Sequence, residues 1–289
     1  MAAPLAQLRN VTFSVTIVNM EREPERPIRA PALADWALAH GRASLTGSEI
    51  AELLQVPEDQ VRRRLHAPAR RNEWVSPTRG LWIPVPPEYR TWGAPPGIEI
   101  VDAMLRHRGV DYYVGWLSAA ALFGAGHQAP QVFHVAVGRQ VRDRVVGRTR
   151  FVFAQRDVSR IPIIEYPTRS GTAKVSTVAA TMLDVADDVD RAGGIDNVAT
   201  VVLELSEHEG FDLTELTRLA PLFPAAAGRR VGRILEHLSW SGDLDLEALR
   251  EAVRDAVPSP SRLDPASPDR GYLDPDWMLR VNADVTDES

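Results

Sequence analysis

The chain has 289 residues, 44% of them hydrophobic and 25% charged, with a net charge of −6, which is globular material long enough for two hydrophobic cores. It has no cysteine, which excludes disulfides, thiolate zinc sites and a cysteine nucleophile. Charge is uneven: residues 1–92 carry 12 arginines against 10 acids, a net of +2, while residues 93–289 carry 21 basic against 29 acidic residues, a net of −8. The two halves are therefore expected to meet different partners.

Residues 1–27 read as an N-terminal extension. Residues 10–19 alternate Val11, Phe13, Val15 and Ile17 with Thr12, Ser14 and Thr16 in a strand pattern, and a charged, proline-bounded linker follows. The apolar run is too short and too alternating for a signal peptide or a membrane span, so a cytoplasmic protein with no membrane partner is expected.

Residues 28–92 read as a compact unit of three helices and a hairpin. Pro31 suits a first helical turn, and Leu33, Trp36, Ala37 and His40 form one apolar stripe ending at Gly41. Thr46 and Glu49 have capping-box spacing ahead of Ile50, Leu53 and Leu54, which predicts a short second helix stopping near Val56. A third helix starts at Pro57, with Glu58 and Asp59 in its first turn and Val61 and Leu65 on its buried side. Two β-type runs at 74–75 and 81–85 flank turn residues with Arg79 at the tip. Three helices and a hairpin in this order predict a winged helix-turn-helix; the alternative is a helical bundle with a surface hairpin and no DNA role.

On the third helix, at 100° per residue, Gln60, Arg63, His66, Ala67 and Arg70 project away from Val61 and Leu65, and Arg62 and Arg64 flank the shoulders. Arginine and glutamine make bidentate contacts to guanine and adenine edges, and flanking arginines neutralise phosphates. Gln60, Arg63 and His66 are thus candidates for base edges in double-stranded DNA, and Arg62, Arg64, Arg70 and Arg79 for phosphate or minor-groove contacts. The alternative is a solvated face.

A linker by composition, residues 92–97, opens a larger α+β region, 93–289. An amphipathic helix carries Ile98, Val101, Met104 and Leu105; strands are predicted at 112–114, 132–137, 149–154, 161–166 and 172–176, with a short helix at 118–123. Helices dominate after Thr177, the first burying Val178, Met182, Leu183 and Val185 and ending in an acidic cluster, the others at 197–206, 213–219 and 226–238, and a final strand is predicted at 277–281. No enzyme motif stands out. The sole lysine, Lys174, lacks the acid two residues earlier that a nuclease site would need. Asp184, Asp187, Asp188 and Asp190 lack EF-hand spacing and read as a solvated helix end. His127 and His134 have no third zinc ligand, and Ser118 reads as a helix cap because Gly-x-Ser-x-Gly is missing. No catalytic residue, metal or cofactor is expected.

The winged-helix pattern, the segment Tyr-Tyr-Val-Gly-Trp-Leu-Ser-Ala-Ala-Ala-Leu-Phe-Gly at 112–124, the Arg-Val-Gly-Arg-Ile-Leu-Glu helix at 230–236 and the closing segment 277–282 together resemble AbiEi-type antitoxins. The resemblance runs over nearly the whole chain after residue 28. It implies an autorepressor bound to its own promoter, paired with a nucleotidyltransferase-like toxin that it counteracts, and it transfers no catalytic residue; the acidic charge of the C-terminal domain, 93–289, places the antidote role there. The rival reading is a protein-interaction module that masks a toxin, with DNA binding secondary.

Overall fold

The structure, a computed structural model, describes residues 27–126, 132–238, 244–254, 258–268 and 270–285. The alternating segment at 10–19 and His127 lie outside these residues. A 3-10 turn, Ala30–Ala32, leads into α1 (Leu33–Ala39), which buries Leu33, Ala34 and Ala37. The expected stripe is shorter than its spacing suggests. His40 is already in the C-cap, where its Nδ1 meets the Trp36 carbonyl and the two rings stack at the surface, 4.4 Å apart.

β1 (Leu45–Thr46) precedes α2 (Gly47–Leu54). The capping box forms as the spacing predicts: Glu49 N–H donates to Thr46 Oγ1 (3.2 Å) and Thr46 N–H to Glu49 Oε2 (2.7 Å). α2 stops at Leu54 because Gln55 turns left-handed at φ 52°. α3 (Glu58–Arg70) starts one residue later than expected, since Pro57 is its extended N-cap, and it buries Val61, Leu65 and Pro68. β2 (Trp74–Thr78) and β3 (Leu81–Pro84) form an antiparallel hairpin, and β1 pairs with β3 to give the order β1-β3-β2. At two residues, β1 has no period to read in the sequence.

Alternation gives the hairpin two working faces. Trp74 and Trp82 pack with Leu33, Leu45, Ile50 and Leu65 of the helical unit. Leu81 and Ile83 instead belong to the core beneath the second region. That core is built on α4 (Gly97–His107), β4 (Tyr112–Val114), α5 (Trp116–Leu122), β5 (Val132–Val137), β6 (Arg144–Val146), β7 (Thr149–Gln155), β8 (Ile163–Thr168) and β9 (Gly171–Ser176). The strands form one mixed sheet, β6-β7-β5-β4-β9-β8. Tyr112, Val114, Val135, Val137 and Val175 face α4 and the hairpin, while Tyr113 and Ala136 face the opposite helical layer.

Ser118 is a correction to the sequence reading. α5 begins at Trp116, so Ser118 lies inside it and is buried, its Oγ accepting from His134 N–H (2.8 Å) and donating to the Val132 carbonyl (3.3 Å). It ties α5 to β5 instead of capping the helix.

The helical layer comprises α6 (Val178–Asp187), α7 (Ile195–Ser206), α8 (Leu213–Leu219), α9 (Ala225–Leu238) and α10 (Glu247–Arg254). α6 is its centre, buried from Val178 through Ala186. A small sheet, β10 (Ser261–Arg262), β11 (Tyr272–Asp274) and β12 (Leu279–Val281), closes the fold in the order β10-β12-β11. The fully buried Arg229 guanidinium holds this tail to α9 through the carbonyls of Val253, Ser259 and Met278. Trp277 precedes β12; its ring lies against Gly232 of α9 and its Nε1–H donates to Glu236 (2.6 Å). A Cβ at Gly232 would sit 2.0 Å from the Trp277 ring. Gly232→Ala is therefore expected to lose about 1–3 kcal/mol by overpacking, read as a lowered urea midpoint with an unchanged slope.

Candidate nucleic-acid interface

α2 and α3 are joined by residues 55–57 alone, which presents α3 beside the hairpin. Burial of Val61 and Leu65 turns the other side of α3 outward. Arg62, Arg63, Arg64, His66 and Arg70 are exposed and Gln60 is half-buried. Arg63 donates to Gln60 Oε1 at 3.0 Å, which lines up these two candidate base-reading side chains one turn apart. Among the described residues, none of these arginines is in an ion pair. Elsewhere in the unit three guanidinium groups are engaged, Arg42 by Glu49 (2.5 Å), Arg71 by Glu73 (2.7 Å) and Arg90 by Asp35 (2.9 Å), while the exposed Arg29 is in no ion pair among the described residues.

The seventh predicted residue, Arg79, is at the hairpin turn with its side chain exposed. Its backbone is not free, because the Arg79 carbonyl meets His107 Nε2 at 3.1 Å, the Pro77 carbonyl accepts from Arg144 (2.7 Å), and the Gly80 carbonyl accepts from Gly47 N–H (2.9 Å). The hairpin tip is thus wedged between the start of α2 and the end of α4.

A second charged constellation lies under α6, and the sequence reading missed it. Asp184 is not at a solvated helix end; it is fully buried. Its Oδ1 accepts from Arg156 and from the Tyr113 hydroxyl (3.1 Å), and Arg156 also donates to Asp187 (2.9 Å). The Arg156 guanidinium lies 4.7 Å from the Trp116 ring centroid, and that of Arg191, itself paired with Asp188 (2.8 Å), lies 4.9 Å from it. Burial pushes the Asp184 carboxyl up to about 7, against the opposing charge of Arg156 and the bond from Tyr113. Burial and the charge of Arg191 bring His134 down to about 4, leaving a neutral ring against Trp116.

The backbone shows why this cluster is structural. Trp116 has a φ of 50°, a left-handed conformation that costs a bulky residue on the order of 1–3 kcal/mol. A Cβ on the preceding Gly115 would lie 2.5 Å from Asp184 Oδ2. The glycine lets the strand approach the carboxylate, and the two guanidinium groups hold the indole in place. An Asp184 without solvent contact offers a substrate no access. Among the described residues, no group of three or more His, Asp or Glu side chains is placed to hold a metal.

This constellation lies within residues 113–237, which match a family model described as the AbiEi antitoxin C-terminal domain. Residues 113–237 belong to that family. The AbiEi-type domain thus begins in β4, takes in the sheet from there on, and ends in α9. It marks the chain as carrying an antitoxin domain of a toxin–antitoxin system, which implies a toxin partner. In fold, the chain is similar to the RV2827C protein from Mycobacterium tuberculosis, with a TM-score of 0.63 at 14% identity over 89% of this chain and 92% of that one. A comparison with curated proteins gives no match. Among the described residues, no helix is long and apolar enough to cross a membrane.

Proposed function

We propose that this protein is a DNA-binding antitoxin that represses its own promoter and counteracts a nucleotidyltransferase-like toxin. Residues 28–92 act as a winged helix-turn-helix, α3 enters the major groove, and the β2–β3 hairpin follows the adjacent backbone. The observation that carries this reading is the outer face of α3, where exposed arginines without ion pairs surround an aligned Gln60–Arg63 pair, in a chain that also holds an AbiEi-type domain. Antidote activity is assigned to residues 93–289, where that domain lies and where the net charge is acidic. Localisation is taken as cytoplasmic, where promoter DNA is found.

The test is binding to the protein's own upstream region and to a scrambled duplex. Arg63→Ala should weaken the specific complex by about 1–3 kcal/mol and the scrambled one much less, because losing a bidentate contact removes discrimination. Arg79→Ala should weaken both to a similar degree, as a phosphate contact would. An unchanged ratio of specific to scrambled affinity in Arg63→Ala would return Arg62, Arg63 and Arg64 to the role of a solvated face. If wild-type protein ignores its promoter but still neutralises a toxin, the masking module becomes the better account.

A further inference from the structure

We infer that the second region extends the DNA-binding surface past the hairpin, with Arg108 and Arg142 holding phosphates of the duplex that α3 reads. This rests on the reading of α3 as the DNA helix and adds a backbone track beyond it.

The contacts run in sequence from one element to the next. The side chain of Glu58, at the start of α3, lies against Gly47 at the start of α2, and Gly47 N–H bonds the Gly80 carbonyl at the hairpin tip. His107, at the end of α4, bonds the neighbouring Arg79 carbonyl. Arg108 follows it, and its own carbonyl accepts from Arg139 in the loop after β5. Arg144, three residues before a tight β-turn at Gly147, reaches back to the Pro77 carbonyl of the hairpin. Arg79, Arg108, Arg139 and Arg144 are therefore drawn together by backbone contacts, and Arg142 lies in the same loop.

Residues 138–150 hold five arginines and a single acid, Asp143. Of the nearby carboxylates, Asp143 accepts from Phe153 N–H (3.0 Å) and Asp102 pairs with Arg106 (3.1 Å), while Asp111, whose backbone carbonyl accepts from Gly138 N–H, is the remaining acid at the edge of the patch. Among the described residues, the side chains of Arg79, Arg108 and Arg142 make neither an ion pair nor a hydrogen bond. Arg144 is held below the ordinary guanidinium range by burial and then by the charge of Arg108, which marks the patch as crowded with like charge. Such a patch attracts polyanionic counter-charge, and the hairpin tip it adjoins places it beside the backbone of a duplex bound by α3.

The experiment uses the full chain. Arg108→Ala/Arg142→Ala is titrated across a salt series against two promoter duplexes centred on the α3 footprint, one of about one helical turn and one of about three turns. On the long duplex the slope of log K against log salt should fall by about 1.8, roughly 0.9 for each lost phosphate contact, and on the short one it should not change. Arg142→Glu, at an exposed side chain with no hydrogen bond to lose, should lower the long-duplex affinity further, which separates loss of contact from loss of folding. Equal slopes for variant and wild type on the long duplex overturn the inference, and so does a fall of equal size on both duplexes. So does a variant that binds DNA normally but no longer binds its toxin. Wild-type protein that binds neither duplex defeats the α3 reading itself, and this inference with it.

Discussion

Arg156→Ala is expected to lose about 3–5 kcal/mol of folding stability at pH 8, because it leaves the buried Asp184 carboxylate without its counter-charge. The loss should depend on pH. The Asp184 carboxyl titrates near 7 in the folded chain and near 3.8 when exposed, so the native state holds the proton more tightly. Its favourable contribution is complete below about pH 4 and fades as pH rises through 7. Removing Arg156 takes away the charge that lowers this value, so the folded pKa climbs further and the decline continues to higher pH. At pH 5 Asp184 is mostly protonated in both proteins, and the remaining loss should be about 1–2 kcal/mol from the vacated contact with Trp116. Adding Asp184→Asn to the variant should recover most of the pH 8 deficit and separate Asp184 from Asp187, which is also raised by burial. Urea midpoints of wild type and both variants at pH 5 and pH 8 measure this. An equal loss at the two pH values would mean that packing of the guanidinium, not its charge, is what α6 requires.

Local signals in the sequence are followed closely by the fold. The Thr46 and Glu49 capping box and the runs that became β4, β5 and β9 depend on neighbours a few residues away, and the structure forms them where the pattern puts them. The short strands β1, β6, β10 and β11 are set by tertiary pairing and have no period of their own. α10 does carry a local signal, since Leu249 and Val253, four residues apart, are both buried. Asp184 shows a different limit. Four neighbouring aspartates look solvated in sequence, and Arg156, 28 residues upstream, together with the Tyr113 hydroxyl explains how one of them, Asp184, can be fully buried.

The candidate interface divides in the same way. The outward face of α3 follows from helical geometry once Val61 and Leu65 are taken as buried. The arginines at 139–150 were equally visible, but a net of −8 over residues 93–289 hid a local net of +4 in that loop and hairpin. Screening acts over roughly 8–10 Å, so a domain-wide sum says little about a patch of that size. The docking of the hairpin tip against His107 could not be read from the sequence at all.

That docking changes what an isolated N-terminal unit should do. Charge alone suggests that residues 28–92 would bind DNA by themselves. In the structure, Leu81 and Ile83 are each only 3% exposed, and what covers them is α4 and its neighbours in the second region, not the helices of their own unit. Cutting the chain after residue 92 would expose both, a loss of roughly 1.5–3 kcal/mol for each side chain. A unit of about 65 residues has only about 3–5 kcal/mol to draw on. The fragment 28–92 is therefore expected to show no cooperative thermal transition and to bind the promoter far more weakly than the whole chain. Residues 93–289 should keep a transition, because the large core around α6 does not include the hairpin. In the intact chain, Ile83→Ala should cost about 2–5 kcal/mol and loosen the hairpin tip, weakening promoter binding without touching a DNA-facing side chain. Circular-dichroism melts of the two fragments and the whole chain, followed by promoter titrations, test this. A fragment 28–92 that melts cooperatively within a few degrees of the whole chain would show that the hairpin needs only the helical core on its other face.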